Sequence, residues 1–135
     1  MNKEKNIESD GLLLAKYIPG DSWKEGLSFY SDDKDFIQVG TWKYGEGKNL
    51  LAHKHNIVPR NADITQEVIY VKKGKLLAKI YDLNNVFLEE LEMRSGDCMI
   101  MLRGGHSYTI LEDDTEVLEV KNGPYFGAEI DRVRF

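Results

Sequence analysis

Two histidines stand one residue apart in Gly47-Lys48-Asn49-Leu50-Leu51-Ala52-His53-Lys54-His55, a stretch whose residues 49–55 read as a β-strand. Successive side chains of a strand point to opposite faces, so His53 and His55 share a face with Cα atoms roughly 7 Å apart. Two imidazoles at that separation can converge on one ion. The chain holds 3 histidines, so any larger histidine site must recruit His106. Cys98 is the sole cysteine; nothing near it in sequence would lower its thiol pKa, and it reads as a small buried hydrophobe.

The elements that must position these residues read as short strands. Residues 12–18 are a strand or one helical turn stopped by Pro19-Gly20, and 27–30 are a short strand. Residues 35–44 are rich in β-branched and aromatic side chains and end at Gly45-Glu46-Gly47. After 49–55 comes a loop composition with Pro59, Arg60, Asn61 and Asp63. Strands then follow at 64–71, closed by Lys72-Lys73-Gly74, and at 75–81, closed by Asp82-Leu83-Asn84-Asn85. Residues 86–93 turn at Arg94-Ser95-Gly96-Asp97, and 98–102, 107–111 and 116–120 complete the set. Turns recurring at this interval, with no sustained 3.6-residue periodicity, predict an all-β sandwich or barrel of roughly ten short strands.

Length and composition bound the rest. A chain of 135 residues is expected to form one domain and to remove about two thirds of its unfolded surface from water. A net charge of -5 and a pI near 5.2 argue against nucleic acid or an anionic membrane as partner, since phosphate neutralisation needs clustered Lys and Arg. A lone cysteine permits no intramolecular disulfide. No run approaches the ~18 apolar residues of a membrane span. Residues 1–10 alternate in charge, are expected to be loose, and fit neither a signal nor a transit peptide. A cytoplasmic location is the resulting expectation.

Two spacings carry a resemblance. Gly47 precedes His53 by five residues, His53-Lys54-His55 is a His-x-His pair, and Glu67 precedes Gly74 by six. Downstream, Gly96-Asp97-Cys98-Met99-Ile100-Met101-Leu102-Arg103-Gly104-Gly105-His106 is a glycine-aspartate start, an apolar strand, a glycine turn and a histidine. Together these resemble the two motifs of the cupin family, and with the strands joining them they span residues 47–120. The resemblance implies a double-stranded β-helix, or jelly-roll, barrel. It also implies a metal centre of His53, His55, Glu67 and His106.

Three neutral imidazoles and a carboxylate form an N3O set suited to a divalent first-row metal, with positions left for water, substrate or dioxygen. Fe(II), Mn(II), Ni(II), Co(II) and Zn(II) all suit it, and affinity order alone does not choose among them.

The chain departs from the motif pattern in places. Eleven residues separate His55 from Glu67 where the family has three or four, so residues 56–65 are expected as an inserted loop at the barrel mouth. Asp63 shares strand parity with Glu67 and is the alternative oxygen ligand if the register shifts. Leu102 stands where the second motif has proline, the turn before His106 is one residue short, and Ile110 replaces a supporting asparagine.

The functional expectation is an enzyme acting on a small oxygenated organic molecule, as a dioxygenase, isomerase or lyase, with Glu67 as ligand or proton carrier. Tyr108, Arg103 and Tyr44 are candidates for the substrate pocket. The alternatives are a non-catalytic cupin module binding a carbohydrate or other small ligand, and metal-free isomerase or epimerase chemistry with His106 and Tyr108 as base and acid. The resemblance further implies a homodimer.

Overall fold

A run of four apolar residues, Cys98–Met101, has no polar face to offer water, and it becomes the buried centre of the main sheet. The computed structural model describes residues 3–135. In chain order the strands are β1 (Lys5–Ser9), β2 (Leu12–Ile18), β3 (Gly26–Phe29), β4 (Gly40–Lys43), β5 (Glu67–Lys73), β6 (Lys75–Tyr81), β7 (Phe87–Arg94), β8 (Cys98–Met101), β9 (Gly105–Ile110) and β10 (Glu116–Lys121). One short helix, α1 (Ala128–Asp131), follows.

All pairings are antiparallel, in a five-stranded sheet β1-β2-β8-β5-β10, a three-stranded sheet β7-β6-β9 and a hairpin β3-β4. None of the three sheets closes into a barrel. With strands making up 44% of the chain and helix 3%, the all-β class is settled.

The five-stranded sheet is buried on both faces at its centre, while β10 is exposed throughout. Towards the three-stranded sheet it sends Leu14, Ala15, Tyr17, Ile69, Val71, Met99 and Met101, which meet Leu76, Ala78, Ile80 and Met93. β6 reaches that core by strict alternation, with Leu76, Ala78 and Ile80 buried between partly exposed neighbours. Towards the hairpin it sends Ile18, Val68, Cys98, Ile100 and Leu102, covered by Tyr30 and Ile37.

Two turns need glycine. Gly74, between β5 and β6, has φ +85°, and a Cβ there would run into Thr115. Gly104, before β9, has φ +81° and lies against the Tyr81 carbonyl.

Two expectations fail. Residues 1–10 are not a loose lead: Met1 and Asn2 lie outside the described residues, but Lys5–Ser9 pairs with β2 and buries Ile7. Conversely, residues 49–55 do not form a strand; no regular structure intervenes between Lys43 and Glu67. The His-x-His alternation has the period of a strand, but in the structure no neighbouring strand supplies the ladder that would hold it extended. The strand expected over 64–71 accordingly starts only at Glu67 and continues to Lys73.

Candidate functional site

Glu67 opens β5, with Met101 of β8 and Lys121 of β10 as its cross-strand neighbours. It shares parity with Ile69 and Val71, so its side chain points between the two larger sheets, where it is buried. On the facing sheet, His106 and Tyr108 of β9 lie opposite Ile80 and Ala78 of β6 and point into the same space.

The three side chains meet. His106 Nε2 is 2.9 Å from Glu67 Oε1, and the Tyr108 hydroxyl donates to the same oxygen at 3.2 Å. The His106 and Tyr108 rings lie 5.3 Å apart between centroids. On the other side of the carboxylate, Lys121 Nζ lies 3.8 Å from Oε2 and 3.2 Å from Glu119.

The electrostatics follow from this geometry. Burial alone would push the Glu67 carboxyl up, but the His106 hydrogen bond and charge, then Lys121 and Tyr108, outweigh it and hold the carboxyl below its ordinary value. The Tyr108 hydroxyl is driven well above the phenol range by burial and then by the Glu67 charge and hydrogen bond, so it stays a donor. Slight burial disfavours the Lys121 charge, yet the hydrogen bond and charge of Glu119, then Glu67 and Asp131, raise its pKa.

With Nε2–H directed at Glu67, a neutral His106 ring carries its free lone pair on Nδ1, and His106 remains about one-third exposed. The cluster is therefore a histidine base or ligand oriented by a buried carboxylate, beside a tyrosine fixed as a donor.

The other predicted residues lie elsewhere. His53 and His55 sit on residues 44–66, an irregular arm whose positions up to 64 are solvent-exposed. Their rings pack edge to face with centroids 5.2 Å apart, and His53 Nδ1 is 3.2 Å from the Leu51 carbonyl oxygen. They do not reach Glu67 or His106, and among the described residues no group of three His, Cys, Asp or Glu side chains is gathered for a metal ion. Asp63 is exposed on the same arm.

Arg103 donates to the Leu13 carbonyl at 2.5 Å and faces Asp35 at 3.9 Å, so it fastens β2 to the segment before β4. Tyr44 lies on the arm, its ring 5.3 Å from Lys48 Nζ. Cys98 is free and buried, its thiol pushed up to about 12 by burial and then by the Asp97 charge, which leaves it no nucleophilic role.

Lys121 was not among the residues singled out from sequence. It joins the site only through the β5–β10 register, for which the lysine itself carries no local signal. Two further polar residues are buried: Asp97, read only as part of the second motif, and Gln66, which was not singled out. Asp97 accepts from the Tyr17 hydroxyl and from the backbone amides of Gly20 and Arg94. Gln66 accepts from the amides of Phe36 and Ile37, which places Glu67 at the mouth of β5.

No helix is long and apolar enough to cross a membrane among the described residues. No family model, curated protein or solved structure matches the chain.

Proposed function

We propose that this chain is a small metal-dependent enzyme of cupin type, built on a jelly-roll and acting on a small oxygenated organic molecule. The observation that carries the reading is the meeting of Glu67 and His106, two of the four expected ligands, from facing sheets across a buried interior. The strand order supports it as well: sequence-distant strands alternate between two stacked antiparallel sheets, as a jelly-roll requires.

The donor chemistry fits a divalent ion in two halves. Glu67 and His106 already meet, with His106 Nδ1 left free, and His53 and His55 form a second pair on the arm. An ion held by these four side chains would supply Lewis acidity or an oxygen-binding centre. The chain's own groups do the remaining work. Glu67 holds the His106 ring, Tyr108 keeps a proton available beside the carboxylate, and Lys121 balances the buried negative charge.

Metal analysis of protein purified without chelator tests the reading. Bound transition metal in wild type, lost in both His106→Ala and the His53→Ala/His55→Ala double variant, is the expected result. Absence of metal, with none taken up on reconstitution, refutes it.

One observation favours a second reading, metal-free proton transfer. Tyr108, Glu67 and His106 are assembled without the arm, so an acid and a base already flank one position. Turnover that survives exhaustive chelation and is lost in Tyr108→Phe would select it.

A further inference from the structure

The cluster of Glu67, His106 and Tyr108 lies at one end of the two larger sheets, where strands begin or stop. Glu67 is the first residue of β5 and pairs with the last residues of β8 and β10, Met101 and Lys121. On the facing sheet the last residue of β6, Tyr81, pairs with the first of β9, Gly105, which immediately precedes His106. Beyond these positions the strands flanking the cluster do not continue, so the interior that holds it opens at this end.

The segment after β10 passes over that opening. Asn122 roots it beside β5, accepting from the Gln66 amide at 2.7 Å. At Asp131, the last residue of α1, it accepts from the Thr65 hydroxyl. Asp131 also adds to the negative surroundings that keep Lys121 charged, and the Lys121 ammonium lies 3.8 Å from Glu67 Oε2. By Phe135 the segment has reached the other sheet: the ring packs edge to face on Tyr81, 5.1 Å between centroids, and lies against Gly105. Stacked sheets lie about 10 Å apart and four extended residues reach about 13 Å, so residues 131–135 make the crossing with little slack.

The crossing is lightly held. α1 buries no residue, Ile130 and Val133 are 77% and 85% exposed, and Phe135 itself is 63% exposed. A segment with this little burial opens at small cost while the core behind it stays folded. His106 is meanwhile only part-exposed, and its free Nδ1 is the atom a ligand must reach.

We propose that residues 131–135 form a strap across the mouth of the Glu67–His106–Tyr108 cluster, and that its release from Tyr81 and Gly105 admits ligand to His106. This rests on the reading of the cluster as the working site, and it holds whether the chemistry there uses a metal ion or proton transfer. Closed, a strap of this kind keeps water from the reacting groups; its opening sets the rate of entry and exit.

Gly105 offers a way to unseat the strap without altering it. Its backbone is not in the left-handed region, so alanine is conformationally allowed. The new Cβ would nevertheless run into the far edge of the Phe135 ring, and it would come within 3.3 Å of the Tyr81 Cβ. Phe135→Ala removes the same contact from the other side and, because the ring is mostly exposed, leaves the core intact.

Acylation of histidine by diethyl pyrocarbonate in excess chelator, read by peptide mass spectrometry, tests the strap, with His53 and His55 on the exposed arm as internal reference. The His106 side chain already shows 31% of its surface, so complete uncovering would raise its rate about threefold. A rise of about twofold relative to His53 is expected in both Phe135→Ala and Gly105→Ala. An unchanged ratio in either variant overturns the strap. So does a Phe135→Ala protein that melts more than about 8 °C below wild type, which would make the segment part of the core. The chelator separates the two readings: a chain that binds no metal leaves the strap standing, and a failed strap leaves the metal reading untouched.

Discussion

Replacing Glu67 with Gln keeps the side chain's shape and one carbonyl acceptor but removes its charge. In the wild-type protein Oε1 receives His106 Nε2 at 2.9 Å and the Tyr108 hydroxyl at 3.2 Å, and Oε2 faces Lys121 at 3.8 Å. Hydrogen bonds to a charged partner contribute ~1.5–3 kcal/mol and neutral ones ~0.5–1.5, so neutralisation weakens the pair by about 2 kcal/mol. The part-exposed Lys121 adds only a few tenths. An amide is less costly to bury than a carboxylate, which offsets part of this loss. The expected net loss is about 1–2 kcal/mol at pH 7, or roughly 4–8 °C in Tm for a chain of this size.

The pH dependence gives the sharper test. The folded-state pKa of Glu67 is lowered, so its stabilisation is complete above the unfolded carboxylate value of ~4.3 and is lost as pH falls through the lower folded value. The deficit of Glu67→Gln should therefore be present at pH 5 and shrink in stronger acid. Urea unfolding of both proteins in chelator, in steps from pH 7 to pH 3, reads it. A variant as stable as wild type at pH 7, or a deficit that does not change with pH, refutes the account of the cluster.

Other perturbations have definite expected outcomes. Cys98, buried with its thiol pushed up to about 12, should resist an aromatic disulfide reagent at pH 8 in the native state and react at once in denaturant; rapid native labelling contradicts its placement. Asp97→Ala strands the Gly20 and Arg94 amides and removes one bond of the Tyr17 hydroxyl, at a cost of about 2–3 kcal/mol by urea unfolding; a loss under about 1 kcal/mol would mean that water replaces the carboxylate. Gly74→Ala combines φ +85° with a clash at Thr115 and should destabilise by at least ~1 kcal/mol, whereas a neutral substitution would show that the turn relaxes freely.

Most of the fold was legible because its signals are local. Lys72-Lys73-Gly74 and Arg94-Ser95-Gly96-Asp97 mark turns through glycines with positive φ, and the run at Cys98 names a strand buried on both faces. The site was legible in part: the Glu67-to-Gly74 spacing and the glycine turn before His106 single out two residues that do meet. The rest depends on pairing between distant segments. Residues 49–55 alternate like a strand, but alternation does not provide a neighbour, and the segment stays irregular. Lys121 looks like any surface lysine until the β10 register sets it beside Glu67. Arg103, expected at the pocket, is taken by Leu13 and Asp35 on another part of the molecule.

The position of β2 has a consequence for how the molecule comes into being. It lies between β1 and β8, so early and late parts of the chain must be joined to build the sheet centre. The β6–β7 ladder closes within a few residues and can form at once. Synthesis delivers β1 and β2 first, but the second edge of β2 has no strand partner until β8 has left the ribosome. Such late, non-local closure slows folding and leaves apolar strands unprotected during translation. This protein should therefore be more sensitive to chaperone supply during synthesis than its size suggests.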